Sequence, residues 1–137
     1  MIYWRPDVYK RQGIYRQPRL VQAVQGEKDK RTVTPDKGKR AISTETAERL
    51  RQLLQKVTVD GVGQEAYVPG FGSAGKTGSA QLGGGVESTN AWFTGYVPVE
   101  NPQYIITVLV RDGESGGGTA APLFREIAQA ILPPSEG

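Results

Sequence analysis

Two stretches of the chain repeat apolar residues at helical spacing. Ala47, Leu50, Leu53, Leu54 and Val57 fall on one face of a 3.6-residue turn, which predicts a helix over Thr44–Lys56. Ser43 stands where an N-cap is needed. Glu45 and Glu48 in the early turns and Lys56 in the last suit the helix dipole. Farther along, Leu123, Ile127 and Ile131 form one stripe and Phe124, Ala128 and Leu132 an adjacent one, the pattern of a helix that packs on a sheet. Thr119 is its candidate N-cap, Pro122 is tolerated in its first turn, and Pro133-Pro134 stop it.

Between the helices the pattern changes to that of strands. Ala91–Val97 mixes aromatic and β-branched residues. Tyr104–Val110 is an almost continuous apolar run, which predicts a strand covered on both faces. The turn from Pro98 to Pro102 is short enough to make these two strands antiparallel. Leu20–Val24 predicts a short strand that pairs with Thr32-Val33-Thr34 across a charged loop. Asp60–Gly75 and Leu82–Asn90 are glycine-rich and read as loops, the first leading into a strand that carries Lys76. The order helix, strand, strand, strand, helix predicts an α+β fold, an antiparallel sheet with packed helices.

Composition narrows the chemistry. With 137 residues the chain holds one domain at most. It has no cysteine and no histidine, so disulfides, Cys/His metal sites and His-dependent triads are excluded. Proton transfer must then run through Lys, Ser, Tyr or carboxylates. The net charge of +3 is mild. The basic cluster Lys28, Lys30, Arg31, Lys37, Lys39 and Arg40 is diluted by Glu27, Asp29 and Asp36 and has no interleaved aromatics. It reads as a solvated hairpin or loop and not as a nucleic-acid surface. No apolar run is long enough to span a membrane, and Met1–Gln12 lacks the apolar core of a signal peptide. Met1–Gln12 reads as a non-native extension joined to a domain that begins at about Gly13.

The candidate chemistry centres on Gly75-Lys76-Thr77-Gly78-Ser79-Ala80-Gln81. On a strand, Thr77 and Ser79 share one face and Lys76 points to the other, unless the strand edge lines a cleft that both faces reach. Hydroxyls and an ammonium on such an edge suit a carboxylate and a carbonyl. The bare Gly75 and Gly78 would let a ligand approach the backbone. Taken singly, the bland readings hold. An edge lysine guards against strand pairing, the hydroxyls are strand formers, and Trp92, Phe93 and Tyr96 are packing residues. A second pattern overlaps the first, because Gly70–Thr77 matches the phosphate-binding G-x-x-x-x-G-K-[ST]. That reading needs a buried strand before Gly70 and a helix beginning at Lys76. Pro69 and the glycines after Thr77 oppose both.

Several segments together resemble the transpeptidase domain of class B penicillin-binding proteins. Gly13–Val21, Ile42–Ala47, Ala74–Gln81, Trp92–Pro98 and Gly117–Ile127 are similar to that family's segments and follow in its order. The resemblance is to the C-terminal part of the domain, over residues 13–137, so the fold expected is a β-lactamase/transpeptidase-like one left incomplete. Two departures are single residues, the first losing a hydroxyl and the second, a mild one, keeping it. Gly61-Val62-Gly63 stands where the family often has Gly-Thr-Gly, and Ser79 where it often has Thr.

A larger departure is an absence. The family's nucleophile motif Ser-x-x-Lys is matched only by Ser73 with Lys76, which overlaps the lysine motif and has no helix to present it. Ser88-Thr89-Asn90 has the spacing of the Ser-x-Asn motif but follows the lysine motif instead of preceding it, and reads as a turn.

The resemblance implies a parent that cross-links peptidoglycan by serine acyl transfer and is acylated by β-lactams. Lys76 would place positive charge near the substrate carboxylate and support proton transfer. Thr77 and Ser79 would offer hydroxyls to that carboxylate, Gly78 would allow close approach, and the Ser79 backbone N–H would supply half of an oxyanion hole. No metal or cofactor is implied. The implied partners are D-Ala-D-Ala stem peptides, β-lactams and cell-wall synthesis proteins. The implied location is the extracytoplasmic face of the bacterial membrane, held by an anchor in the parent. Alone, the chain is expected to be inactive and poorly soluble. Alternatives are a P-loop nucleotide-binding fragment and a non-catalytic β-lactam-sensing module.

Overall fold

A computed structural model describes residues 13–133 apart from Pro18, Lys28 and the stretch 82–87. The expectation for Met1–Gln12 lies outside these residues. The chain opens with two small antiparallel pairs. β1 (Ile14–Tyr15) pairs with β4 (Lys39–Arg40), and β2 (Ala23–Gln25) with β3 (Lys30–Thr32). The second pair is the predicted charged hairpin, with every strand residue exposed. Its register is Ala23 opposite Thr32, so the strands start and end one to three residues from the predicted positions.

α1 (Thr44–Val59) runs three residues beyond the predicted end. Its N-cap is Ser43, whose Oγ accepts the Thr46 N–H at 3.1 Å. Ala66 and Val68, in and beside the short 3₁₀ turn Gln64–Ala66, are fully buried and seat this loop in the core. Gly70 and Gly72, with φ of 79° and 60°, turn the chain toward the sheet. Room at Gly72 is taken by Val99, since a Cβ there would lie 2.6 Å from Val99 Cγ1.

The main sheet is a meander, β5 (Ala74–Gln81), β6 (Thr89–Val97) and β7 (Tyr104–Val110), antiparallel throughout. The predicted Tyr104–Val110 strand has these same bounds. β6 begins two residues earlier than predicted, and this corrects the reading of Ser88-Thr89-Asn90 as a turn. Thr89 and Asn90 are strand residues paired with Gln81 and Ala80, and the Ser88 hydroxyl bonds the Asp112 carboxylate.

Opposite residues in register share a face. Gly75, Thr77 and Ser79 therefore lie on the same face as Ala91, Phe93, Gly95, Ile106 and Val108. This face is covered by α2 (Ala121–Ile131) through Phe124, Ala128 and Leu132, together with Ala66, Val68, Ala120 and Ala121. Phe93 and Phe124 meet with ring centroids 4.8 Å apart and planes at 59°, a tilted contact worth about 1 kcal/mol beyond its area.

The other face carries Ala74, Lys76, Gly78, Trp92, Thr94, Tyr96, Ile105, Thr107 and Leu109. α1 covers one end of it, where Leu54 packs with Ala74, Tyr96, Val99 and Ile105. The rest is open among the described residues, with Lys76, Trp92, Thr107 and Leu109 exposed. β7 therefore alternates between buried Ile106 and Val108 and exposed Thr107 and Leu109, which corrects the expectation of cover on both faces.

Two further contacts fix the frame. Arg51 of α1 grips the Glu48 carboxylate and reaches the Val99 carbonyl at 3.3 Å and Glu100 at 3.7 Å. Its bond to Glu48, aided by the charges of Glu48 and Glu100, raises the guanidinium above its usual pKa against the cost of partial burial. Ahead of α2 the chain makes a π turn, Gly116–Ala120. Its cap is Ser115, whose Oγ accepts the Gly118 N–H at 3.0 Å. Thr119, predicted as the cap, instead lies inside that turn, its N–H bonded to the Ser115 carbonyl.

Candidate functional site

β5 holds the whole lysine motif, Gly75–Gln81. Its outer edge is unpaired among the described residues, because β5 bonds only to β6. Beside that edge an open groove of about 570 Å³ is bounded by three segments. Thr77 and Ser79 form its floor, Val62, Gln64 and Glu65 one wall, and Ser115–Gly118 the other. The two hydroxyl residues are thus brought together, as alternate positions on a strand require.

Lys76 does not line this groove. It lies on the opposite face of the strand, exposed, with its Nζ donating to the Thr77 carbonyl at 2.7 Å. The ammonium therefore sits at the strand edge and toward the open face of the sheet. The strand also overturns the phosphate-loop alternative. Lys76 and Thr77 are extended residues in the middle of a sheet pairing, opposite Thr94 and Phe93, where a phosphate cradle needs the first turn of a helix.

Ser73, the literal match to a nucleophile motif, is a structural residue. It is 1% exposed and its Oγ donates to the Ala66 carbonyl at 2.7 Å. Its own carbonyl accepts the Thr58 hydroxyl at 2.6 Å, which ties α1 to the start of β5.

The glycines of the motif differ from one another. A Cβ at Gly75 would lie 2.6 Å from both Phe93 Cζ and the Thr94 carbonyl oxygen. Its missing side chain makes room for the Phe93 ring and not, as expected, for a ligand. Gly95, its partner across the ladder, is bare for the same reason, with Phe93 Cε1 2.8 Å and Phe124 Cε2 3.0 Å from a Cβ. At Gly78 the nearest neighbour on the open face is Trp92 Cβ at 3.3 Å.

On the groove side, the group close to Gly78 is the backbone of Gly116. A Cβ at Gly116 would fall 2.3 Å from the Trp92 carbonyl oxygen and 2.7 Å from that of Gly78. Gly117 is held as closely against Val62, whose carbonyl oxygen would be 2.2 Å from its Cβ. The Gly116 N–H donates to Ser79 Oγ at 3.2 Å.

The groove walls were not legible as a site in the sequence. Gly117 and Gly118 stood only at the head of a segment similar to the family's, and Glu65 fell within a loop. Glu65 lines the groove and pairs with Arg125 of α2 at 3.4 Å. The one available signal was the run Gly116-Gly117-Gly118, three bare backbones in a place where a turn needs fewer.

The chain is similar to known proteins in sequence and in fold. The family model described as the penicillin binding protein transpeptidase domain matches residues 8–129. The peptidoglycan D,D-transpeptidase PbpA of Mycolicibacterium smegmatis is 33% identical over an alignment 133 positions long that covers 88% of this chain and 26% of that protein. Stage V sporulation protein D of Bacillus subtilis is 34% identical over an alignment 108 positions long that covers 73% of this chain and 17% of that protein. Among solved structures, penicillin-binding protein 3 of Mycobacterium tuberculosis superposes with a TM-score of 0.76 at 29% identity, over 90% of this chain and 32% of that one. The D,D-transpeptidase domain of a peptidoglycan glycosyltransferase from Eggerthella lenta gives 0.73 at 34%, over 90% and 30%. The chain thus spans about a quarter or less of these two curated relatives. With residues 8–129 matched by the family model, the chain belongs to the penicillin-binding-protein transpeptidase family.

Proposed function

We propose that this chain forms the carboxylate-binding side of a peptidoglycan D,D-transpeptidase site, and that the nucleophile lies outside these 137 residues. The observation that carries this is the pairing of Thr77 and Ser79 along one groove, on an unpaired strand edge whose other face holds Lys76. The two hydroxyls donate to the terminal carboxylate of a D-Ala-D-Ala stem peptide, or to the carboxylate of a β-lactam. Lys76 adds a positive field at the strand edge and takes part in proton movement. The Ser79 N–H donates to the scissile carbonyl oxygen as it becomes an oxyanion, a contribution of roughly 3 kcal/mol in comparable acyl transfers.

In the full reaction a serine oxygen adds to the carbonyl carbon of the penultimate D-alanine. The C–N bond breaks and the terminal D-alanine leaves with a proton. An amine of a second stem peptide then displaces the serine, forming the cross-link and returning the proton to the serine oxygen. A β-lactam follows the first half, its ring C–N bond opening to leave an ester. On this reading the work is done at the outer face of the bacterial membrane, with cell-wall synthesis proteins as partners. Among the described residues no helix is long and apolar enough to cross a membrane.

The test is a hybrid in which residues 13–133 replace the matching segment of the M. smegmatis relative. A folded hybrid should take a fluorescent penicillin covalently, and Lys76→Ala or Thr77→Ala should cut the labelling rate by at least about tenfold, the effect of losing one charged hydrogen bond. A folded hybrid that takes no label would sink the proposal. The 137-residue chain by itself should show no adduct by intact mass.

A further inference from the structure

We propose that the Gly116 N–H is a positioning group that aims the Ser79 hydroxyl. This rests on reading the groove as a carboxylate site. A serine hydroxyl has one proton and two lone pairs. Gly116 donates to Ser79 Oγ at 3.2 Å and so occupies an acceptor position. The hydroxyl proton is then left to turn toward the groove that Ser79 lines, where it donates to an anion. A hydroxyl that accepts one hydrogen bond is polarised into a better donor. The relay runs from the Gly116 N–H through Ser79 to the carboxylate.

The backbone around Gly116 is built to hold that N–H in place. Gly116 is buried, while Ser79 is exposed at the groove. No side chain can stand at Gly116, with the Trp92 carbonyl oxygen 2.3 Å from any Cβ there. The π turn is pinned on its far side, where the Ser115 carbonyl accepts the Thr119 N–H at 2.9 Å and Ser115 Oγ accepts that of Gly118 at 3.0 Å. Single wide turns of this kind recur at functional sites.

Alanine at Gly116 would disturb the fold, so the test acts at Ser79. The ¹⁵N-labelled chain is titrated with N-acetyl-D-alanyl-D-alanine, and with the same peptide amidated at its C-terminus as the control. The amides of Thr77, Ser79 and Gly116 should move together with the acid and stay still with the amide. In Ser79→Ala the dissociation constant should rise about tenfold, and Gly116 should stop responding while Thr77 still does. Ser79→Thr should restore both. If Gly116 moves as much in Ser79→Ala as in the parent, or if Ser79→Ala leaves the affinity unchanged, the relay is overturned and the carboxylate site stands. If no groove residue of the parent chain responds, the carboxylate reading fails and takes the relay with it.

Discussion

A single methyl group separates the two glycines of the lysine motif. At Gly75 it would press on Phe93 and on the Thr94 carbonyl oxygen, both at 2.6 Å, and a backbone carbonyl in a paired strand has nowhere to go. Gly75→Ala should therefore cost about 1–3 kcal/mol in urea unfolding, the usual range for overpacking. At Gly78 the only close neighbour of a Cβ among the described residues is Trp92, its Cβ at 3.3 Å, and that residue is 36% exposed. Gly78→Ala should stay within about 1 kcal/mol of the parent, because the smaller entropy of its unfolded chain offsets the crowding. Equal losses at the two positions would contradict this assignment. From the sequence both glycines read as openings for a ligand. What fills Gly75 is Phe93, eighteen positions away, and only the strand register brings the two together. Hydroxyl alternation at Thr77 and Ser79 was legible because it is local to one strand.

Elements followed their periodicity, and their ends followed contacts. α1 continues past Lys56 because Thr58 turns inward, 1% exposed, and donates to the Ser73 carbonyl at 2.6 Å. Thr58→Val keeps the shape and leaves that buried carbonyl without the hydroxyl. It should cost about 1–3 kcal/mol, read as a lower urea midpoint with unchanged slope. Arg51 joins α1 to the β6–β7 turn. Its pKa is raised in the folded chain, so its contribution is complete below the ordinary guanidinium value and is lost only as pH rises through the higher folded one. Stability across the neutral range should therefore be insensitive to Arg51 ionisation, while Arg51→Met should lower it by about 1 kcal/mol. A double-mutant cycle with Glu48→Gln should return a coupling of similar size. The start of α2 was misread because Thr119 has cap chemistry, whereas α2 follows a π turn capped by Ser115, and the close approach of Gly116 in that turn to Gly78 of β5 is encoded by no local pattern.

At the scale of the whole molecule, apolar area remains uncovered among the described residues. Trp92 and Leu109 are 36% and 45% exposed on the open sheet face, and Leu123, Ile127 and Ile131 form a half-exposed stripe on α2. Patches of this kind are sites of association. The chain should self-associate in sedimentation velocity runs, and Leu109→Lys should shift it toward monomer. A monomer with one sharp unfolding transition would contradict the expectation. The α+β class was readable from the element order, but the groove was not, because its walls come from segments around residues 62, 77 and 116. The meander has a consequence for the order of folding. β5, β6 and β7 stand side by side in the order in which they occur in the chain, and α2 follows directly to cover them. Each new contact closes a short loop, and short loops cost little entropy and form fast. In a refolding experiment with pulsed hydrogen exchange, amides of this carboxy-terminal half should gain protection as one early unit, while the exposed β2–β3 hairpin stays open to solvent to the end.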